Sequence, residues 1–265
     1  MLFRPIAVFD SGLGSLSVVR EIRKIAPAEN ILYFADKLNF PYGKKTKEEL
    51  KPIIRNSIKF LEKYRPKLIV IASNTPSIQI FDEIKNEFSI DIIPTKPPLK
   101  KAASMSKKNH IAIMGSTGLL NSKEFNYLLK REIPQHIFIT KIDSSDLIDI
   151  VEDGSFLSDR NHTFKIIQKT IKSNFEDSID VLVLGSTHLP FIKNYIGDLL
   201  PSIKFIDSSS QVAKDAKNYL QFNKDLNRNG KGRLEILVSS DKKDFQTILR
   251  YMGTREIIYD VSLQF

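Results

Sequence analysis

A chain of 265 residues with 42% hydrophobic and 9% aromatic content can bury a full core, which excludes a disordered protein. Lys+Arg 40 against Asp+Glu 31 leaves a net charge of +9, but the lysines are spread along helical segments and read as a solvated basic surface, so acidic metabolites are suited and no nucleic-acid partner is expected. The complete absence of cysteine excludes disulfides, thiolate metal sites and thiol nucleophiles.

Short β-rich runs alternate with helical patterns along the whole chain, the signature of βαβ units and mostly parallel sheets. In chain order, strands are predicted near 5–9, 30–34, 67–72, 90–93, 110–114, 137–141, 180–184, 203–206 and 233–238. Between 46 and 64, Leu50, Ile53, Ile54, Ile58 and Leu61 share one helical face, and 158–176 aligns Phe164, Ile167, Thr170 and Ile171 in the same way. The Asn/Lys/Gly-rich stretch 223–232 reads as a surface loop leading into a final strand and helix. Apolar runs such as 67–72 and 181–184 are too short to span a bilayer and no signal peptide is read, so a cytoplasmic protein without membrane contact is expected.

The chain also repeats itself at a spacing of about 100 residues. Ile6-Ala-Val-Phe-Asp-Ser-Gly12 reads like Ile111-Ala-Ile-Met-Gly-Ser-Thr117, and Leu68-Ile-Val-Ile-Ala-Ser-Asn-Thr75 reads like Val181-Leu-Val-Leu-Gly-Ser-Thr-His188. Each is a buried strand that ends in small polar residues at a helix start. In parallel α/β sheets ligands bind beyond the carboxyl ends of the strands, so four such tips, two from each half, can converge on one cleft. Taken singly the tip residues stay ambiguous. Asp10 and Ser11 are readable as a strand-end turn and a cap, Asn74, Thr75 and Thr187 as helix caps, Tyr42-Gly43 as a turn, and His188 as a buried histidine. The histidines show no ligand spacing, no carboxylate cluster has a calcium or magnesium pattern, and Gly12-Leu-Gly14 lacks the complete dinucleotide fingerprint. No metal and no cofactor are expected.

Read together, the motifs resemble those of the glutamate racemases, within the broader aspartate/glutamate racemase superfamily. The matching segments are Val8-Phe-Asp-Ser-Gly12 with Gly14 and Leu16-Ser-Val18, Tyr33-Phe-Ala-Asp36, Pro41-Tyr-Gly43, Ala72-Ser-Asn-Thr75, Val151-Glu152 with Gly154, and Ser186-Thr-His188 with Pro190. They occur in the family's order over nearly the full length. The resemblance implies two pseudo-symmetric three-layer α/β domains with mostly parallel sheets, one from 1–95 plus 208–265 and the other from 96–207, with the active-site cleft between them. It also implies a cofactor-independent racemase in which one acid/base residue faces each side of the substrate α-carbon. A homodimer is compatible with it.

In the family those two residues are cysteines, and here the positions hold Ser73 and Ser186. A thiol of reference pKa about 8.5 can be tuned to a thiolate near neutrality, whereas a serine hydroxyl stays protonated unless an adjacent base activates it. By resemblance Asp10 lies near the substrate ammonium and the first acid/base position, and His188 and Glu152 lie near the second. Asn74, Thr75 and Thr187 would donate to the α-carboxylate. Ser11, Tyr42 and Gly43 would meet the distal carboxylate through hydroxyl and backbone N–H groups, with Pro41 and Ser116 counted among the binding residues. Two readings follow: a racemase-like isomerase acting on a small acidic amino acid or dicarboxylate, or a non-catalytic carboxylate-binding sensor or carrier. Two further departures, Leu119 where the family has a Thr and Pro97-Pro98 where it commonly has Glu-Pro, are expected to alter pocket polarity.

Overall fold

Fully buried parallel strands read as unbroken Val/Ile/Leu runs, because helices cover both faces of the sheet and leave no position for a polar side chain. The computed structural model, which describes residues 4–172, 174–256 and 258–261, turns each such run into a strand. The strands are β1 (Ile6–Asp10), β2 (Ile31–Ala35), β3 (Leu68–Ile71), β4 (Ile92–Pro94), β5 (His110–Gly115), β6 (Phe138–Asp143), β7 (Val181–Leu184), β8 (Lys204–Asp207), β9 (Leu234–Val238) and β10 (Ile258–Asp260). Every residue of β1, β2, β3, β5 and β7 is buried.

All pairings are parallel, in a six-stranded sheet of order β10-β9-β2-β1-β3-β4 and a four-stranded sheet of order β6-β5-β7-β8. The run β2-β1-β3-β4 in the first sheet and β6-β5-β7-β8 in the second have the same order, which places the repeated segments at equivalent central strands. The first sheet then gains two strands, as β9 pairs with β2 in the register Tyr33 to Ile236.

Each sheet is sandwiched by helices. One face of the first packs Leu16, Val19 and Ile22 of helix Ser15–Ile25 with Val212, Ala216 and Leu220 of helix Ser209–Phe222, and the other packs Leu50, Ile54, Ile58 and Leu61 of helix Lys47–Glu62. The second sheet buries Phe125, Leu128 and Leu129 on one side and Leu147, Val151, Ile167 and Ile171 on the other. The helix predicted over 46–64 starts at Thr46, whose hydroxyl accepts from the Glu49 N–H while the Glu49 carboxylate accepts from the Thr46 N–H, a reciprocal cap.

Two expectations change. The helix expected over 158–176 is helix Arg160–Lys172, shorter than expected and preceded by a separate short helix Ser155–Ser158, because Asp159 leaves the helical conformation and its carboxylate caps the later helix by accepting from the His162 N–H at 2.9 Å. The three-residue strand β10 has no counterpart among the predicted strands, since Ile258 is its only buried residue and no apolar run announces it. Among the described residues no helix is long and apolar enough to cross a membrane.

Candidate active site

A parallel sheet opens a crevice beyond its carboxyl edge where successive connections turn to opposite sides. In the first sheet that point lies between β1 and β3, and in the second between β5 and β7. The residues leaving these strands are Asp10-Ser11, Ser73-Asn74-Thr75, Ser116, and Ser186-Thr187-His188. All nine line one cleft, joined by Pro41, Tyr42 and Gly43 from the loop after β2. Glu152 stands behind this wall at the end of helix Ser145–Glu152.

The two sheets meet through the cleft residues themselves. Thr187 Oγ1 donates to Asp10 Oδ2 at 3.2 Å, the Thr75 and Ser116 hydroxyls are 3.2 Å apart, and the Leu13 N–H donates to Glu152 Oε2 at 2.7 Å. The approach is close enough to require glycine. A Cβ at Gly14 would collide with the Thr187 and His188 side chains, and one at Gly118 with the backbone carbonyl of Gly43.

The loop carrying Pro41-Tyr42-Gly43 is pinned by Asp36, whose carboxylate accepts from the Tyr42 hydroxyl at 2.9 Å and from the Asn39 amide at 2.9 and 3.0 Å. Ser11 Oγ accepts from the Tyr42 N–H at 3.4 Å. The Tyr42 hydroxyl is therefore engaged with Asp36 and its N–H with Ser11. Burial pushes the Asp36 carboxyl up, against the pull of the Asn39, Tyr42 and Ser239 donors.

Near Ser186 a chain of polar contacts runs inward. Ser186 Oγ lies 3.5 Å from His188 Nδ1 and accepts from the His188 N–H at 3.3 Å, while His188 Nε2 is 2.9 Å from Glu152 Oε2. Lys37 Nζ donates to Glu152 Oε1 at 2.5 Å, with its ammonium over the Phe40 ring at 5.5 Å. Ser73 neighbours Asp10, whose carboxyl is pushed up by burial, opposed by His188 when that ring is protonated, by the Ser11 N–H and by the Ser73 hydroxyl.

A carboxyl whose folded pKa is raised holds its proton in the native state over the window between the ordinary Asp value and the raised one. The stability it contributes is present below the ordinary value and is lost as pH rises through the raised one. Asp10→Asn, which cannot ionise, is therefore expected to be more stable than the unaltered protein near pH 7, by about 1.4 kcal/mol for each unit of elevation. The gain should vanish at about pH 3.5, and urea unfolding at the two pH values checks it.

Leu119 and Pro97, expected to change pocket polarity, do not line the cleft. Leu119 is 1% exposed and packs in the core of the second sheet, and Pro97 is buried ahead of helix Leu99–Met105. The residues that sequence reasoning missed are Lys37 behind the wall and Phe40, Lys44, Ser145, Ile148 and Asp149 around the mouth, where Lys44 pairs with Asp149 at 3.0 Å. Adjacency to Pro41-Tyr42-Gly43 was the available signal for Phe40 and Lys44; nothing in the sequence flagged the others.

A duplicated pair of parallel sheets with a polar cleft between their strand ends defines a two-sheet α/β protein. Glutamate racemase of Clostridium novyi is 34% identical over 243 residues, covering 91% of this chain and 93% of the relative. Glutamate racemase RacE1 of Bacillus anthracis superposes with a TM-score of 0.85 at 25% identity over 98% of this chain and 97% of that one. The Francisella tularensis enzyme, solved in complex with D-glutamate, gives a TM-score of 0.84 at 27% identity, with 98% of each chain covered. No protein-family model matches the chain. The chain belongs to the glutamate racemase family, as a member without cysteine.

Proposed function

We propose that the cleft binds a small acidic amino acid or dicarboxylate with its α-carbon between Ser73 and Ser186. The observation that carries this reading is Asn74, which is 4% exposed and lines the cleft with neither its Oδ1 nor its Nδ2 partnered. A buried amide left without partners costs free energy comparable to a lost hydrogen bond, which a ligand carboxylate accepting from Nδ2 recovers. Thr75 and Thr187 add donors beside it, and Asp10 supplies an acceptor for an ammonium. The same reading divides the chain into one unit from 1–95 with 208–265 and a second from 96–207, and places the protein in the cytoplasm.

Turnover in this scaffold is a separate matter from binding. A racemase removes the α-proton on one face and returns one on the other, and serine hydroxyls, far more basic than thiols once ionised, are poor at passing a proton in both steps. The serine pair therefore favours a slow isomerase or a carboxylate sensor or carrier over an efficient racemase. Calorimetric titration with glutamate, aspartate and non-amino dicarboxylates is expected to show saturable binding to at least one. Asn74→Ala should weaken it about tenfold or more, the loss of one hydrogen bond to a charged group. Deuterium exchange at the α-carbon in heavy water then separates the two readings: exchange above background marks an isomerase, and saturable binding without exchange marks a sensor or carrier. No binding to any of these ligands would overturn the proposal.

A further inference from the structure

We propose that Ser186 is a nucleophilic hydroxyl, able to take an acyl group from an activated ester that bears a second carboxylate, and that Lys37 is the positioning residue that readies it. The argument begins at Glu152, which is 4% exposed and whose partners can be counted. Oε1 accepts from the Lys37 ammonium, and Oε2 accepts from the Leu13 N–H at 2.7 Å and contacts His188 Nε2 at 2.9 Å. An ammonium and a backbone N–H are both obligate donors, so Glu152 sits among donors as an acceptor. The arrangement that satisfies all three contacts with Glu152 as acceptor has His188 Nε2 donating to it.

With the proton on Nε2, a neutral His188 presents the Nδ1 lone pair to Ser186 Oγ at 3.5 Å, a separation of the kind that tightens when a ligand binds. The His188 N–H already donates to Ser186 Oγ at 3.3 Å, which leaves the hydroxyl proton free to point at Nδ1. Nucleophile, base and base-orienting carboxylate are thus in sequence, the relationship that activates serine irrespective of fold. Lys37 enters here because it is 14% exposed in its side chain and holds the carboxylate oxygen that His188 does not touch.

In the reaction, Ser186 Oγ forms a bond to the ester carbonyl carbon as the bond to the leaving oxygen breaks. The hydroxyl proton passes to His188 Nδ1 and from there to the leaving oxygen. Water then attacks the acyl-serine, giving its proton to His188 and restoring the Ser186 hydroxyl with release of the free acid. The choice of an ester carrying a carboxylate rests on the binding proposed for Asn74; the activation of Ser186 does not.

The test uses the mono-p-nitrophenyl ester of succinic acid with the full chain. The expected result is release of p-nitrophenolate together with a succinyl adduct that peptide mass spectrometry maps to Ser186 and not to Ser73. His188→Asn should slow the release about a hundredfold, Lys37→Met about tenfold or more, and Lys37→Arg should restore most of it, with circular dichroism confirming that each variant is folded. No adduct on Ser186, equal labelling of Ser73, or a Lys37→Met variant as fast as the unaltered chain would overturn the proposal. Glutamate binding with no adduct would sink this inference alone, and a Ser186 adduct in a chain that binds no dicarboxylate would sink the proposed ligand class instead.

Discussion

Ser73→Cys with Ser186→Cys is expected to raise racemisation of a bound acidic amino acid by about a hundredfold or more over the unaltered chain. Positioned acid/base groups are worth roughly that much or more each, and the thiol supplies a group whose pKa of about 8.5 can be lowered to suit neutral pH. At Ser186 the new thiol would lie beside His188, and at Ser73 beside Asp10, whose proton the buried site retains above its usual range. Either single change should give much less, since a base on one face needs a competent donor on the other. Circular dichroism at 204–210 nm with each enantiomer measures the rate. A folded double variant without a rise would point to the mouth residues Lys44, Ser145 and Asp149 as the mark of a different ligand, because Leu119 and Pro97 lie outside the cleft.

The largest loss of stability is expected from Lys67→Met. Lys67 and Glu29 form an ion pair at 2.9 Å with side chains 3% and 0% exposed. The Lys67 ammonium also donates to the Asp225 carbonyl at 2.6 Å, and Glu29 accepts from the Asn227 N–H at 2.5 Å. The pair therefore ties the loop before β9 to the entry of β3. Removing the ammonium strands a buried carboxylate and should cost about 3–5 kcal/mol in urea unfolding. Glu29→Gln added to Lys67→Met should recover part of that loss, because no charge then remains buried. A change of less than about 1 kcal/mol in the single variant, no more than an exposed surface pair is worth, would contradict the assignment.

Much of this architecture is legible in the chain for one physical reason. Strands buried on both faces, such as β3 and β7, must be apolar throughout, so each appears as an uninterrupted run followed by the small polar residues that open the cleft. The equivalence of the two halves is visible in the same segments. What escaped are features set by packing between elements distant in sequence. Lys37 comes to stand behind the cleft wall only because helix Ser145–Glu152 brings Glu152 to it, and Ser145 and Asp149 line the cleft from that same helix. Leu119 shows the opposite error: its place where the family has a Thr suggested the pocket, but its side chain packs into the core with Phe125 and Leu120. Asp159 sets the start of helix Arg160–Lys172, a bound that apolar periodicity does not mark, through a cap that only its conformation reveals.

The most direct measurement of the central claim is a crystal structure of the unaltered chain soaked with the dicarboxylate or acidic amino acid that titrates best. The expected density places the ligand in the cleft, with one carboxylate accepting from Asn74 Nδ2 and its α-carbon between the Ser73 and Ser186 hydroxyls. A ligand seated elsewhere, or a cleft that stays without it at saturating concentration while the Asn74 amide remains unpartnered, would contradict it.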